Sequence, residues 1–390
     1  MPKIILKKNE EKRLKLGHHW VFSNEIFEIE DSAENGDIIE VFDSKNNFLG
    51  TGFYNKNSLI AVRILSEEKI DDLYFHFKEK LNKAFELRKT FYPNRNSFRL
   101  SFSESDFLPG LILDKYNDTF VLQIYSFGME RNVEKIIKVL IEDFNAKNIF
   151  TKNENYFRML EGLPESDEIY LGEIKPEIIN DEAINYKIDF GSGHKTGFYF
   201  DQSDNRFFVE KLVKGKKVVD AFCNSGGFGL HAIKGGAASV TFVDSSSNEI
   251  QIAKNNFELN NFKSKAEFIV SDVFDFFEDQ IKINKKFDVV IIDPPAFAKN
   301  KKSLPAAKKG YEKLNKLALQ IINDDGFLVT SSCSHHLQKN DFIQLINSAA
   351  QKVSKKIQLI YYNSASLDHP QIPSMPETTY LKFAVFKVET

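Results

Sequence analysis

A chain of 390 residues is too long for one ordinary domain, and its 42% hydrophobic and 27% charged content is that of a folded protein, not a disordered one. Its 52 basic and 55 acidic side chains leave a net charge of -3, so any affinity for nucleic acid must come from local patches. Two cysteines exclude a disulfide scaffold or a thiolate-rich zinc site, and no metal is expected. No uncharged apolar run nears the roughly 18 residues of a membrane span, and the opening Met1 to Lys8 lacks a signal-peptide core, so a cytoplasmic protein is expected.

Residues 1–70 read as a small β-rich unit. Asp37 to Phe42, Phe48 to Tyr54 and Ile60 to Leu65 are short strands separated by turn residues such as Asn35-Gly36. The first 20 residues carry six basic and two acidic side chains, which is either a solvated face or a phosphate-binding one. Residues 71–182 read as an α+β segment. Leu73, Phe77, Leu81 and Phe85 follow helical spacing, strands are expected at Phe98 to Phe102, Leu111 to Asp114, Phe120 to Tyr125 and Asn148 to Thr151, and a helix at Val133 to Phe144.

From residue 216, within a region spanning 183–390, strands and helices alternate. Lys217 to Phe222, Ser239 to Asp244, Ala266 to Val270, Phe287 to Asp293 and Phe327 to Ser331 are strands with helices between them, which predicts a parallel sheet wound with right-handed crossovers. The helix after the fourth strand is expected from about Tyr311 to Ile322, with a Lys-rich loop before it. Ile357 to Tyr361 and Tyr380 to Val388 have no helix between them and predict an antiparallel pair at the sheet edge. The fold class is therefore multidomain α/β, with a Rossmann-like C-terminal sheet.

The chemistry is expected at the carboxyl ends of these strands. Asp220-Ala221-Phe222-Cys223-Asn224-Ser225-Gly226-Gly227 is a glycine turn between the first strand and its helix, where backbone approaches a ligand closely. Asp244, at the second strand tip, suits two ribose hydroxyls, and Asp272, after the third, suits an adenine, although an Asp there is commonly a helix cap. Three such groups at successive tips indicate a nucleoside ligand; NAD fits them almost as well as S-adenosylmethionine.

Asp293-Pro294-Pro295-Ala296-Phe297 ends the fourth strand. The prolines stop the strand and hold a carboxylate and an aromatic ring where a flat heterocycle can be hydrogen-bonded and stacked. Thr330-Ser331-Ser332-Cys333-Ser334-His335-His336 ends the fifth. If strands four and five are neighbours, about 4.8 Å apart, Asp293 and Cys333 meet one base. Cys333 is read as a nucleophile whose pKa either histidine lowers, and Cys223 as an inert core residue. Lys299, Lys301 and Lys302, flanking this pocket, suit phosphate contacts.

Gly193-His194-Lys195-Thr196-Gly197-Phe198-Tyr199-Phe200-Asp201-Gln202, with Asp-Pro-Pro-x-Phe, Ser-Cys-Ser and Asp368-His369-Pro370, is similar to the large-subunit ribosomal RNA methyltransferase I family across essentially the whole chain. Gly17-His18-His19-Trp20-Val21-Phe22 resembles the opening of that family's N-terminal PUA domain, and Asp106 to Leu111 and Arg158 to Gly162 its middle domain. The resemblance implies a class I S-adenosylmethionine-dependent cytosine-C5 methyltransferase of 23S RNA. It implies Cys333 as nucleophile and Asp293 as the acid on the base. Phe222, Asn224, Gly226, Gly227, Asp244, Asp272 and Asp293 would hold the cofactor, with Lys195, Phe198, Gln202 and Arg206 bordering its methionine end.

Phe297 would stack the target base, and a homodimer is an expectation by analogy. One departure is Ala296, where many RNA cytosine-C5 enzymes carry a second cysteine. Methylation of a guanine or an exocyclic amine without cysteine catalysis, a nicotinamide-dependent oxidoreductase, and an RNA-binding module with an inactive catalytic domain are the alternatives.

Overall fold

The computed structural model describes the whole chain except residues 31, 192–195, 299 and 390. It forms two compact units. The first comprises Met1–Ile179, Ile188–Phe200 and Leu367–Thr378; the second comprises Asn180–Lys187, Asp201–Ser366 and Thr379–Thr390. Among the described residues no helix is long and apolar enough to cross a membrane.

The first unit opens with β1 (Lys3–Leu6), β2 (Trp20–Phe22), β3 (Ile26–Ile29), β4 (Ile38–Phe42), β5 (Phe48–Tyr54) and β6 (Ile60–Ser66), in the order β2-β6-β5-β4-β1-β3. The three later strands lie where alternation and turn residues put them. The three earlier ones, each of three or four residues, were missed, because such short strands take their identity from their partners. Part of the basic N-terminal run is neutralised locally: Arg13 pairs with Glu25 at 2.8 Å and Lys15 with Asp43 at 3.3 Å.

A second sheet in this unit is built from β7 (Ser97–Phe102), β8 (Leu111–Tyr116), β9 (Thr119–Ile124), β10 (Asn148–Thr151) and β11 (Ile169–Leu171), in the order β11-β10-β9-β8-β7. The helices Leu73–Phe91 and Val133–Phe144 lay Phe77, Leu81, Ile136 and Leu140 against Phe98, Leu113 and Phe120. Burying each such side chain favours folding by about 1.5–3 kcal/mol. Segment Leu367–Thr378 is bound into the same unit: the buried Asp368 carboxylate accepts from Arg99 N at 2.9 Å, and Arg88 Nη2 donates to Asp368 O at 2.8 Å. The strands β12 (Glu177–Asp181) and β13 (Ile184–Ile188) form a two-stranded ribbon.

The second unit is a seven-stranded sheet: β14 (Lys217–Ala221), β15 (Ser239–Asp244), β16 (Lys265–Val270), β17 (Phe287–Ile292), β18 (Ile322–Ser332), β19 (Lys356–Asn363) and β20 (Lys382–Glu389). The order is β16-β15-β14-β17-β18-β20-β19. Strands β14 to β18 are parallel, and β20 is antiparallel to both neighbours. The run Val289-Val290-Ile291-Ile292 is almost wholly buried, as a central parallel strand covered on both faces requires.

Two boundaries differ from the sequence reading. The Lys-rich segment before Tyr311 is mostly helical: a 3-10 turn at Lys301–Ser303 leads into a helix spanning Leu304–Ile321. Pro305 sits in its first turn, where a missing N–H costs nothing, and the Asn300 side chain caps Ser303 N at 3.0 Å. Strand β18 starts early, at Ile322, and absorbs Asp324-Asp325-Gly326 as a bulge between the pairs Phe287–Ile322 and Val289–Phe327.

Candidate active site

The sheet register brings the expected groups to one edge. Ala221 lies opposite both Val243 and Ile292, Asp244 opposite Val270, and Ile292 opposite Thr330. The residues that follow these pairs leave the sheet side by side, at the point where the strand order reverses between β14 and β17.

The glycine turn has the backbone that its composition requires. Phe222, Asn224 and Gly226 all have positive φ, and Gly226 opens the helix Gly227–Lys234. A side chain at Gly227 would meet Arg206 Nε at 2.5 Å and would displace that buried guanidinium. Asp244 holds the turn: its Oδ2 accepts from Asn224 N at 3.1 Å and its Oδ1 from Ser246 N at 3.0 Å. Asp220, at the core of β14, accepts from Gly229 N at 2.7 Å through Oδ2. Its Oδ1 is buried with no hydrogen-bond partner among the described residues. Burial pushes its carboxyl up to about 7. Asp272 is exposed and caps the helix Val273–Lys282, accepting from Phe274 N at 2.8 Å.

Asp293 is half-buried, and Gln202 Nε2 donates to its Oδ1 at 2.9 Å, as does the Ser331 hydroxyl. Gln202 is itself oriented, since its Oε1 accepts from Asn205 Nδ2 at 2.7 Å. Desolvation pushes the Asp293 carboxyl up to about 6, against the pull of the Ser331 and Gln202 donors. Cys333 approaches the same loop, with Sγ 3.9 Å from Pro294 O. Ser334, next in the chain, ties that loop down: its Oγ accepts from Ala298 N at 3.1 Å and lies 2.9 Å from the Tyr311 hydroxyl. Phe297 packs on Tyr311 with ring centroids 4.6 Å apart and remains half-buried. Cys223 is buried, and desolvation raises its thiol well above the usual range, as befits an inert thiol.

Phe198 belongs to the first unit, where its ring meets Phe200 and its N–H donates to Tyr116 Oη at 3.0 Å. Arg206 is buried in the second unit beside Asp181, Nη1 to Oδ2 3.7 Å, and lies over the Phe228 ring. Lys301 and Lys302 are exposed in the 3-10 turn that precedes the long helix; Lys195 and Lys299 lie outside the described residues. Among the described residues no group of three or more His, Cys, Asp or Glu side chains is placed to hold a metal ion.

Three contributors went unread in the sequence: Asp220 as a buried acid, Ser331 as an Asp293 donor, and Lys382 beside Cys333. Ser331 had a signal in the Thr-Ser-Ser-Cys-Ser run. Lys382 had one too, as a lysine between Leu381 and the apolar run Phe383 to Phe386.

The PUA-like domain family matches residues 4–67, and the family described as Conserved hypothetical protein 95 matches residues 199–363. The chain is 38% identical over 387 residues to the Ribosomal RNA large subunit methyltransferase I of Aliivibrio fischeri, covering 97% of each chain. It is 37% identical to that of Vibrio campbellii, covering 99% of each. It superposes on the crystal structure of SMU.776 complexed with SAH with a TM-score of 0.85, covering 99% of this chain and 100% of that one. The identity there is 22%, so the likeness is one of fold.

Proposed function

This chain belongs to the ribosomal RNA large subunit methyltransferase I family, and from that premise we propose that it methylates C5 of a cytosine in 23S ribosomal RNA through a covalent bond to Cys333. The observation that carries the reading is the meeting of Asp293 and Cys333 on adjacent parallel strands, with Cys333 Sγ 3.9 Å from the carbonyl of the residue after Asp293.

S-adenosylmethionine is the cofactor, and it supplies an electrophilic sulfonium methyl when bound. The residues present fit such a group. The turn from Phe222 to Gly227 carries Phe222, Asn224 and Gly226 at positive φ, Asp244 stands at the second tip as a ribose acceptor, and the buried Asp220 Oδ1 is without a hydrogen-bond partner among the described residues. Asn224 and Gly226 shape the cradle, and Asp272 keeps one carboxylate oxygen beyond its cap for the adenine side. Gln202 and Arg206 remain the proposed border of the methionine end.

Cytosine C5 is too weak a nucleophile to be methylated unaided. Cys333 as thiolate adds to C6, and the electron pair displaced by that bond makes C5 nucleophilic. Asp293 meets N3, where the adduct gathers charge, and a carboxyl raised to about 6 retains a useful protonated fraction for donating there. After methylation a base takes the C5 proton, the C5–C6 double bond re-forms, and Cys333 leaves with the electron pair of the C–S bond. The target base must be unpaired or flipped, with Phe297 as its stacking partner and Lys299, Lys301 and Lys302 on flanking phosphates. The PUA-like fold of residues 4–67 supports an RNA substrate.

Incubation with labelled S-adenosylmethionine and undermodified ribosomal RNA, followed by nucleoside mass spectrometry, tests this. Wild type yields 5-methylcytidine, Cys333→Ala yields none while still binding cofactor, and RNA carrying 5-fluorocytidine traps a covalent adduct. A different methylated nucleoside, made equally well by Cys333→Ala, overturns the mechanism.

A further inference from the structure

We propose that Lys382 is the positioning residue that keeps Cys333 in its thiolate form, an assignment that rests on the cysteine-first reading above. Strand β20 runs antiparallel to β18 and sets Lys382 opposite Ser332, the residue immediately before Cys333. The Lys382 Nζ then donates to Ser334 O at 2.6 Å, the residue immediately after, and to Tyr380 O at 2.6 Å. Lys382 therefore faces the residue before the nucleophile with its backbone and binds the residue after it with its ammonium.

Its surroundings make that charge conspicuous. Lys382 is only 4% exposed, and its strand neighbours Leu381, Phe383, Ala384 and Val385 are buried. Among the described residues it has no carboxylate within ion-pairing distance. A buried, desolvated ammonium held by carbonyl oxygens alone is costly unless an anion shares the site. The Cys333 sulfur can be that anion: burial lowers the Lys382 amine to about 8, and the Cys333 thiolate opposes that shift.

Other titratable groups stand on the elements around Cys333. Tyr311, from the helix Leu304–Ile321, has its phenol raised by burial and also by Cys333, so it stays neutral near pH 7. Asp293 ends the adjacent strand and, when ionised, opposes a thiolate. His335 is exposed, so water screens its charge, and His336 is half-buried. Among the described residues Lys382 is thus a desolvated cation placed to favour ionisation of Cys333, a role the sequence suggested for the histidines.

On ionisation the thiol proton passes to solvent and Lys382 keeps its own. When Cys333 adds to C6 the sulfur loses its charge, and when it leaves the charge returns beside the same ammonium. The two groups titrate as a pair.

The test measures alkylation of Cys333 by iodoacetamide against pH, without RNA or cofactor, by mass spectrometry of the Cys333 peptide. The protein is the full chain as wild type, Lys382→Met and Lys382→Arg. The expected wild-type midpoint lies below the ordinary thiol value of about 8.5. Lys382→Met raises it by about one pH unit, slowing alkylation at pH 7 about tenfold, and Lys382→Arg recovers part of the loss. A Lys382→Met profile that overlies wild type overturns the proposal. Should Lys382→Met fail to fold by circular dichroism, the wild-type curve decides, and a midpoint at or above about 8.5 overturns it. Methyl transfer is read separately. A low midpoint in a wild type that does not methylate C5 upholds the pairing and overturns the cysteine-first reading. Transfer to C5 with an unmoved Lys382→Met profile does the reverse.

Discussion

Gln202 Nε2 donates to Asp293 Oδ1 at 2.9 Å, and the amide cannot turn over, because its own Oε1 accepts from Asn205 Nδ2 at 2.7 Å. Asn205 is pinned in turn: its Oδ1 accepts from Asn363 Nδ2 at 2.8 Å. A chain of oriented amides thus aims one donor at the carboxylate expected to meet the base.

Gln202→Leu is expected to lower kcat for methyl transfer by about 10–100-fold, the equivalent of a hydrogen bond to a charged group at about 1.5–3 kcal/mol. The loss of a donor to the ionised form also raises the Asp293 pKa, moving its limb of the pH–rate profile upward. Steady-state kinetics that leave kcat and that limb unchanged would show the amide to be incidental.

Asp220 makes stability depend on pH. Its carboxyl is raised from 3.8 to about 7 in the folded chain, so between those values the native state holds a proton that the unfolded state has lost. Its contribution is therefore fully present below pH 3.8 and is lost as pH rises through about 7. Asp220→Asn should flatten this dependence, and between pH 5 and 8 wild type should lose about 2.5 kcal/mol more than the variant. Denaturant melts at the two pH values measure the difference.

Gly229 lies inside the helix Gly227–Lys234, where alanine ordinarily stabilises by about 1 kcal/mol. Here an added Cβ would stand 2.1 Å from Cε1 of Phe242. Gly229→Ala is predicted to destabilise by about 1–3 kcal/mol, and a thermal melt with a raised midpoint would contradict the packing argument.

In the first unit Arg88 and Asp106 form a buried two-pronged ion pair, at 2.5 and 2.7 Å. Asp106→Asn leaves the guanidinium uncompensated and should cost about 3–5 kcal/mol. The same change should loosen segment Leu367–Thr378, which Arg88 holds through Asp368 O. Hydrogen exchange at the Asp368 and His369 amides reads that loosening.

Sequence alone located the elements whose information is local. Val133–Phe144 and Ser239–Asp244 have the ends their periodicity and turn residues imply, and Asp244 and Asp293 were legible because each follows directly on apolar residues. The neighbouring of strands four and five, needed to bring Asp293 to Cys333, was a condition that β17–β18 pairing meets. Tertiary structure decided what depends on partners distant in the chain. β1, β2 and β3 are too short to announce themselves without the strands they pair with. Segment Leu367–Thr378 joins the first unit through Asp368, although both flanking stretches belong to the second. Gln202 meets Asp293 across 91 residues, and Lys382 reaches Ser334 across 48, from a last strand inserted between β18 and β19. Periodicity records which face a residue buries. It does not record which side chain waits on the adjacent strand, and for a buried charge that neighbour sets its state.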